Sequence, residues 1–518
     1  MLVSLSDCNN ILVRGVNWIG DAVMTMPTLR ALRLANRSAR IMLLVKPWVA
    51  PLFEKDPNID GIILYSDEYQ GIPGRIRLSK KIRGQGFCAA LLLQNAFDAA
   101  VITALAGIPE RIGYDRDARG FLLTKAVRLD GPTKGLHHID YYLNLLSKAG
   151  LPAAKSLPWI YLQLEERLRA RDRVGDLRRP VVAINPGAAY GSSKRWHPER
   201  FAGVAMKVID DLGGSVLILG GPSEAPIADE ICKVLNGSLS PESYSQRVLS
   251  VAGKTDLRQL AALISECDLL VTNDSGPMHV GYAVGTPLVA VFGSTSADHT
   301  GPVGQGDRVV KKDVECAPCY ERTCKRGDLK CMDLIAAGEV FEAVRSSIST
   351  RSAVFFDRDG TLCRDSGYLN RMEDLEVFGK IHALKRLGEK GFSMIGVSNQ
   401  SGVARGIVKE EFVRKVNRLF VDSYGFDDFY YCPHHPDEHC SCRKPEPGLL
   451  YRARAEHKID LRASYVVGDK EADLLLARSV GAKAILVKTG KEESSPYADF
   501  VAEDLAEATD FILGESGT

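Results

Sequence analysis

Apolar and polar positions follow a repeating pattern along the chain: a short apolar run, a glycine-bearing turn, then an amphipathic stretch that leads to the next apolar run. Short apolar runs bounded by turn residues are typical of buried strands, and longer amphipathic stretches are typical of helices that cover a sheet. Because the alternation continues from end to end, it predicts an α/β protein built on parallel sheets.

The repeating pattern falls into three blocks, each with its own predicted strands. Apolar runs in the first block lie at Ile11–Arg14, Ile41–Val45 and Ala89–Leu93, before the helical stretch HHIDYYLNLLSKAG. Those in the second lie at Val181–Ile184, Val216–Leu219, Leu269–Thr272 and Leu288–Val291, with helices expected at Pro198–Leu212 and Leu257–Ser265. Those in the third lie at Val354–Phe356, Met394–Val397, Tyr465–Val467 and Ala484–Val487. We therefore expect three α/β domains, at residues 1–165, 166–348 and 349–518.

Composition and charge narrow the class of protein. A length of 518 residues exceeds what one hydrophobic core organises. The apolar share of 45% and charged share of 25% exclude a disordered or fibrous chain. Because 66 basic residues face 65 acidic ones, no overall field favours nucleic acid as a partner. No run approaches the ~20 apolar residues that span a bilayer, and the N-terminus lacks the features of a signal peptide, so we expect a cytoplasmic protein.

The third block contains paired aspartates directly after a predicted strand. In VFFDRDGTL, Asp357 and Asp359 stand at the carboxyl end of that strand, where open α/β sheets bind ligands. One carboxylate can attack phosphorus and form an aspartyl-phosphate, while the other protonates the leaving oxygen and later activates water. Three further segments follow in order: IGVSNQSG, CRKPEPG and YVVGDKEAD.

These four segments resemble the haloacid dehalogenase superfamily, motif by motif and in its order. The resemblance implies that Asp357 is the nucleophile and Asp359 the general acid and base. It implies that Ser398 and Asn399 hold the phosphoryl oxygens and that Lys444 neutralises their charge. Mg²⁺ prefers hard oxygen ligands, and the implied ligands are Asp357, Asp359 and Asp469.

A cysteine and histidine array lies between two of these motifs. Eight of the 12 cysteines fall between Cys316 and Cys442, and in a reducing compartment such clustering favours metal over disulfides. YYCPHHPDEHCSCRKP offers four ligands for tetrahedral zinc, with His435 and His439 as alternative histidines: Cys432, His434, Cys440 and Cys442. With four protein ligands the zinc would be structural and would fix the loop that continues to Arg443 and Lys444.

Within the superfamily, residues 352–492 resemble the heptose bisphosphate phosphatases and, more distantly, the histidinol phosphatases. The resemblance implies substrate contacts from a DSGY loop, an SNQS segment, two basic residues and a lysine: Asp365, Ser366, Gly367, Tyr368, Ser398, Asn399, Gln400, Ser401, Arg443, Lys444 and Lys470. A short spacer between His434 and Cys440 and a serine at Ser398 depart from the bisphosphatase pattern, so a histidinol-phosphatase-like substrate stays open.

The first two blocks contain polar loops that match no P-loop or G-x-G-x-x-G motif. Asp21 follows the first strand and has two interpretations: a helix N-cap, or a general base that deprotonates a sugar hydroxyl. NPGAAYGSSKRWHPERFA places Lys194 before a helix, where a diphosphate can bind. In VTNDSGPMHVGYAVGTP a second such turn contains Asp274, Ser275 and Gly276, and His279 is either a cleft residue or an ordinary helix-start histidine.

Residues 10–345 resemble the bacterial ADP-heptose:lipopolysaccharide heptosyltransferases, inverting enzymes that need no metal. The resemblance implies that Asp21 is the base, that Lys194, Ser275 and Gly276 bind the donor diphosphate, and that Asp274 approaches the sugar. Glu224 and His279 complete the expected nucleotide-sugar site. The fold expected for the chain is thus two Rossmann-like domains of GT-B type, followed by a haloacid-dehalogenase-like domain with a zinc-binding loop.

The two resemblances predict a bifunctional enzyme of lipopolysaccharide heptose metabolism. Its expected partners are ADP-heptose, the lipopolysaccharide core acceptor and heptose 1,7-bisphosphate, with peripheral contact at the inner membrane because the acceptor is embedded in lipid. Two alternatives stay open: a transferase for another nucleotide sugar, and a silent binding module attached to the phosphatase. A further series, Cys316, Cys319, Cys324 and Cys331, is equally compatible with a metal and with free or paired thiols.

Overall fold

The computed structural model describes residues 5–515. These residues divide into two compact units, the first ending at Ser347 and the second beginning at Ile348. Within the described range, strands form three six-stranded sheets in which neighbouring strands run parallel. Each sheet has the strand order of a doubly wound fold, in which the first and fourth strands of the block lie side by side.

The first sheet has the order β3-β2-β1-β4-β5-β6. Its inner strands are buried over most of their length, as expected when helices cover both faces, whereas the edge strands β3 and β6 have exposed positions. They are β1 (Asn10–Arg14), β2 (Arg40–Val45), β3 (Gly61–Leu64), β4 (Ala89–Leu92), β5 (Glu110–Tyr114) and β6 (Lys125–Val127). The helices are α1 (Ile19–Ala35), α2 (Gly71–Arg83), α3 (Phe97–Leu105), α4 (Gly131–Lys134) and α5 (His138–Lys148).

The second sheet has the order β12-β11-β10-β7-β8-β9. Its strands are β7 (Val181–Asn185), β8 (Ser215–Ile218), β9 (Val248–Ser250), β10 (Leu269–Asn273), β11 (Leu288–Phe292) and β12 (Arg308–Lys311). The helices are α6 (Leu164–Val174), α7 (Pro198–Leu212), α8 (Ala225–Ser238), α9 (Pro241–Arg247), α10 (Leu257–Ser265), α11 (Gly276–Ala283), α12 (Ala297–Thr300), α13 (Lys330–Asp333) and α14 (Ala337–Ser347).

One hydrophobic core joins these two sheets into the first unit. It extends from β1 through α1 and α11 to β10 and β11 and includes Val13, Leu29, Met278 and Leu288. Helix α1, which belongs to the first sheet's layer of helices, packs against α11, which belongs to that of the second sheet. This continuous apolar core holds the two sheets together in one unit.

The second unit contains the third sheet, with the order β15-β14-β13-β16-β17-β18. Its strands are β13 (Ala353–Phe356), β14 (Ser393–Asn399), β15 (Asp428–Cys432), β16 (Tyr465–Gly468), β17 (Lys483–Val487) and β18 (Phe500–Ala502). The helices are α15 (Lys385–Glu389), α16 (Glu410–Tyr424), α17 (Gly448–His457), α18 (Glu471–Val480) and α19 (Leu505–Glu515). Apolar clusters fill both faces of this sheet.

No helix among residues 5–515 combines the length and the hydropathy needed to cross a bilayer. Cys8 and Cys88, which lie outside the clustered cysteines, form a disulfide.

Candidate active sites

In the second unit, three buried carboxylates meet where β13 and β16 lie side by side. Asp357 follows β13, Asp469 follows β16, and Asp473 lies in the first turn of α18. One oxygen from each side chain lies within 4.8 Å of the others. Since the carboxyl ends of neighbouring parallel strands share one edge, the strand order itself brings these residues together.

A single buried lysine balances part of this negative charge. Lys444 Nζ lies 2.6 Å from an oxygen of Asp357 and 2.5 Å from one of Asp473, and it donates to the carbonyl of Val397 at 3.0 Å. Burial opposes its charge, yet the adjacent carboxylates of Asp357 and Asp473 raise the pKa of Lys444. The backbone N–H of Lys444 donates to the side chain of Asn399 at 3.1 Å, which ties the lysine loop to β14.

These carboxylates fit a divalent cation. Asp469 Oδ1 is buried and has no hydrogen-bond partner among the described residues. Burial, followed by the charge of Asp357, raises the pKa of Asp469 to about 7. Three carboxylates face two ammonium groups, that of Lys444 and that of Lys470, whose Nζ lies 3.6 Å from Asp469 Oδ2. An excess of negative charge remains, and Mg²⁺ prefers such oxygen ligands.

The structure places Asp359 differently from its expected role as a magnesium ligand. Its carboxylate is not part of the three-carboxylate group and accepts hydrogen bonds from Arg358, at 3.0 and 3.2 Å, and from Gln400, at 2.7 Å. Asp473 lies in the group instead, although it was missing from the sequence-based set. The signal was present in GDKEAD, where a second aspartate follows Asp469 by four positions at a helix start.

Two of the expected substrate-contact residues contact this group directly: Lys444, and Lys470, whose Nζ lies 3.6 Å from Asp469 Oδ2. Asp365 lies 3.3 Å from Lys470 and 3.4 Å from Lys491, a second lysine that the sequence had not indicated. The rest of the loop is exposed, and the SNQS segment is buried or partly buried: Ser366, Gly367 and Tyr368, then Ser398, Asn399, Gln400 and Ser401. Arg443 has one buried guanidinium nitrogen without a hydrogen-bond partner in the described chain.

The cysteine and histidine array folds into one compact group. Cys432, at the end of β15, has its Sγ 3.4 Å from Cys440 Sγ and 3.5 Å from His434 Nδ1. His434 Nδ1 is also 3.2 Å from Cys442 Sγ. The other two histidines of the segment are outside this group, and His435 accepts from the backbone N–H of Asp437. The ligand set is therefore suited to tetrahedral zinc.

In the first unit, a cleft of about 660 Å³ lies between the two sheets. It opens where β7 and β10 lie side by side, which is again the position where doubly wound sheets bind ligands. All seven residues that the sequence assigned to transfer line this cleft: Asp21, Lys194, Glu224, Asp274, Ser275, Gly276 and His279.

Hydrogen bonds hold the charged residues on the second-sheet side of the cleft. Lys194 Nζ lies 2.5 Å from Asp274 Oδ2, which also accepts from the hydroxyl of Thr295 at 2.5 Å. The Lys194 ammonium is 4.8 Å from the centre of the Tyr190 ring. Glu224 accepts from the backbone N–H of Gly221 at 3.0 Å. Lys194 is thus held at the cleft by a carboxylate and an aromatic face.

Asp21 does not cap its helix, so the N-cap interpretation is wrong. Helix α1 begins at Ile19 with Trp18 as its N-cap, and Asp21 lies within the first turn. Its Oδ1 is 3.1 Å from His138 Nδ1, and 26% of its side chain is exposed to the cleft. A partly exposed carboxylate that is not used for capping can accept a proton from a bound hydroxyl.

His279 is buried and lies close to Gly20, the residue before Asp21. Its Nδ1 is 2.8 Å from the hydroxyl of Tyr282, and a Cβ at Gly20 would come within 2.6 Å of its ring. Burial lowers the pKa of His279 to about 4, so the ring is neutral at neutral pH. Glycine at position 20 allows the close approach of α1 to this ring.

A second pocket of about 300 Å³ adjoins Asp21 on the first-sheet side. It shares Asp21, Trp18 and His138 with the larger cleft. Its other polar and aromatic residues, which no local sequence pattern indicated, are Gln94, Asn95, Arg116, Lys134, Tyr141 and Tyr142. Asp21 therefore stands between two cavities.

The second cysteine series is less compact than the first. No three of Cys316, Cys319, Cys324 and Cys331 have their sulfur atoms within 4.8 Å of one another in the described structure. Burial, followed by the neighbouring thiols, raises the pKa of Cys331. This segment contacts the Lys194 loop, since the backbone N–H of Ser193 donates to the carbonyl of Arg322 at 3.1 Å.

Comparisons with known proteins match the two units separately. A family model described as glycosyltransferase family 9 (heptosyltransferase) matches residues 75–330, and one described as HAD-hydrolase-like matches residues 441–508. Lipopolysaccharide heptosyltransferase 2 of Salmonella typhimurium is 33% identical over 310 residues, 58% of this chain and 87% of that protein. D-glycero-beta-D-manno-heptose-1,7-bisphosphate 7-phosphatase of Yersinia pestis is 42% identical over 173 residues, 30% of this chain and 92% of that protein.

One solved structure extends the match to the fold. The ADP-heptose lipopolysaccharide heptosyltransferase II of E. coli superposes with a TM-score of 0.56 and 28% identity, over 65% of this chain and 98% of that one.

Proposed function

Because the chain belongs to the glycosyltransferase family 9 heptosyltransferases through its first unit and to the heptose-1,7-bisphosphate 7-phosphatases of the haloacid dehalogenase superfamily through its second, we propose that it catalyses two reactions of heptose metabolism. It is a glycosyltransferase and a phosphatase in one polypeptide. The observation that carries this conclusion is that each unit contains a full set of reactive side chains at its own sheet edge.

The first reaction transfers heptose from ADP-heptose to the inner core of lipopolysaccharide. Asp21 takes the proton of an acceptor hydroxyl, and the freed oxygen attacks the anomeric carbon of the donor. The bond from that carbon to the diphosphate then breaks. Lys194 and the amides at the start of α11, near Ser275 and Gly276, stabilise the departing diphosphate. Asp274 and Glu224 contact the donor sugar and the ribose.

The acceptor belongs in the smaller pocket beside Asp21. Arg116 and Lys134 give that pocket positive charge, which suits an anionic core oligosaccharide. Since such an acceptor is anchored in lipid, we include peripheral contact with a membrane in the proposal.

The second reaction hydrolyses the 7-phosphate of D-glycero-D-manno-heptose 1,7-bisphosphate. The Asp357 carboxylate attacks phosphorus, the bond to the sugar oxygen breaks, and Asp359 protonates that oxygen. Asp359 then takes a proton from water, which attacks the aspartyl-phosphate and releases phosphate. Lys444 and Ser398 hold the phosphoryl oxygens throughout.

Two metals are part of the proposal. Asp357, Asp469 and Asp473 would hold Mg²⁺, which when bound would neutralise charge on the phosphoryl group. Cys432, His434, Cys440 and Cys442 would hold structural zinc, which fixes the loop that places Arg443 and Lys444.

A substrate panel on the full chain tests the proposed activities. With Mg²⁺, phosphate release should be faster from D-glycero-D-manno-heptose 1,7-bisphosphate than from histidinol phosphate, and Asp357→Asn should serve as the blank. Transfer should be faster from ADP-heptose than from other nucleotide sugars. Preference for histidinol phosphate, or for a different donor, would refute the corresponding half.

A further inference from the structure

His138 is the residue that contacts the Asp21 carboxylate most directly. Its Nδ1 lies 3.1 Å from Asp21 Oδ1, across 117 positions of sequence. Within residues 5–515 the structure shows no other side-chain hydrogen bond to this carboxylate. His138 begins α5, and 40% of its side chain is exposed.

The position of His138 places it at the meeting point of donor and acceptor. Both cavities beside Asp21 include His138 in their lining. The other histidine near Asp21, His279, has its Nδ1 hydrogen-bonded to Tyr282, so that nitrogen is not available to the carboxylate. His138 contacts Oδ1 of Asp21, so Oδ2 can accept a proton from the acceptor hydroxyl.

We propose that His138 is a positioning residue for the transfer reaction. Its Nδ1–H donates to Asp21 Oδ1, fixes the carboxylate between the two cavities, and directs Oδ2 to the acceptor hydroxyl. A fixed base avoids the loss of rate that follows when a reacting group samples unproductive orientations. This inference depends on the proposed function of the first unit, in which Asp21 is the base.

Two substitutions at His138 separate positioning from other roles. His138→Ala removes the donor, and we expect kcat for transfer to fall roughly 10- to 100-fold while KM for ADP-heptose stays within about twofold. His138→Asn keeps an N–H near the position of Nδ1 but has no basic nitrogen. We expect it to retain most of the wild-type kcat.

A surface pair provides the matched control. His197 Nε2 lies 2.5 Å from Asp333 Oδ1, in the same unit but outside the lining of both cavities. His197→Ala should therefore leave kcat unchanged. A fall in kcat as large as that of His138→Ala would show that loss of any such pair slows the enzyme, and it would overturn the inference.

The remaining outcomes are also decisive. A wild-type kcat in His138→Ala would overturn the positioning role. Equal loss in His138→Asn and His138→Ala would overturn it too, because the imidazole itself would then be required. If the wild-type enzyme transfers heptose and Asp21→Asn does not, the proposed function stands even when the His138 variants contradict the inference. Absence of wild-type transfer would refute both.

Discussion

Two histidines near Asp21 show how burial decides the chemistry of a side chain. His138 is partly exposed and hydrogen-bonded to the carboxylate, whereas His279 is buried and bonded to a tyrosine hydroxyl. Removing a charged ring from water disfavours protonation. The buried histidine is therefore neutral at neutral pH, whereas His138 contacts the Asp21 carboxylate at the surface of the cleft.

The buried histidine predicts an acid-sensitive first unit. The pKa of His279 is lowered to about 4 from 6.5, so between these values the unfolded chain binds a proton that the folded chain excludes. Stability is fully present above pH 6.5 and decreases as pH falls toward 4. At about pH 5 this residue lowers the free energy of unfolding by about 2 kcal/mol.

Tryptophan fluorescence can measure this loss, because all four tryptophans lie in the first unit. Between about pH 7.5 and pH 5, the free energy of unfolding in urea should fall by about 2 kcal/mol more for the wild type than for His279→Gln. His299→Gln, at a partly exposed position, should match wild type. An equal fall in the free energy of unfolding for the wild type and His279→Gln would contradict the lowered pKa of His279.

At the scale of elements, the turn after β13 depends on one glycine. Gly360 has φ +96°, and a Cβ there would come within 2.3 Å of Asp469 Oδ2. Gly360→Ala should lower phosphate release by at least roughly 100-fold, since the carboxylate must move. Gly391 has φ +90° with open space around it, so Gly391→Ala tests the backbone effect alone. Equal loss of activity in both variants would show that the contact with Asp469 is unimportant.

The loop after β15 depends on its four ligands. Cys440→Ser should remove bound zinc, measured by elemental analysis of the purified chain, and should slow phosphate release because the loop also contains Lys444. Transfer should be unaffected. Cys232→Ser, in α8, is the control and should keep both zinc and activity. If Cys440→Ser bound as much zinc as the wild type, the proposed site would be excluded.

The sequence pattern identified inner strands far better than outer ones. Of the strands of the three sheets, it missed β5 and all six edge strands: β3, β6, β9, β12, β15 and β18. Inner strands such as β7 are buried along their whole length and form clear apolar runs. Edge strands such as β6 and β12 have exposed positions, so their apolar runs are short and do not stand out.

The sequence could predict those site residues that lie in loops directly after strands. Asp357, Asp469, Lys194 and Asp274 lie in loops after inner strands, and those loops have recognisable motifs. His138 begins a helix, 117 positions from Asp21. No local pattern shows that the two residues meet, because their contact depends on how α1 and α5 pack together.

At the scale of the whole molecule, the three sheets share one strand order, and each candidate site lies where the first and fourth strands of a block are neighbours.

The two proposed reactions do not follow one another directly. The phosphatase would release heptose 1-phosphate, whereas the transferase would use a sugar already joined to ADP. A separate nucleotidyl transfer must therefore occur between them.

Reciprocal inactivation of the full chain tests whether one polypeptide catalyses two independent reactions. Asp21→Asn should abolish heptose transfer and leave phosphate release at the wild-type rate, and Asp357→Asn should do the reverse. Each variant is the folding control for the other. Loss of both activities in either variant, or retention of transfer in Asp21→Asn, would contradict the account.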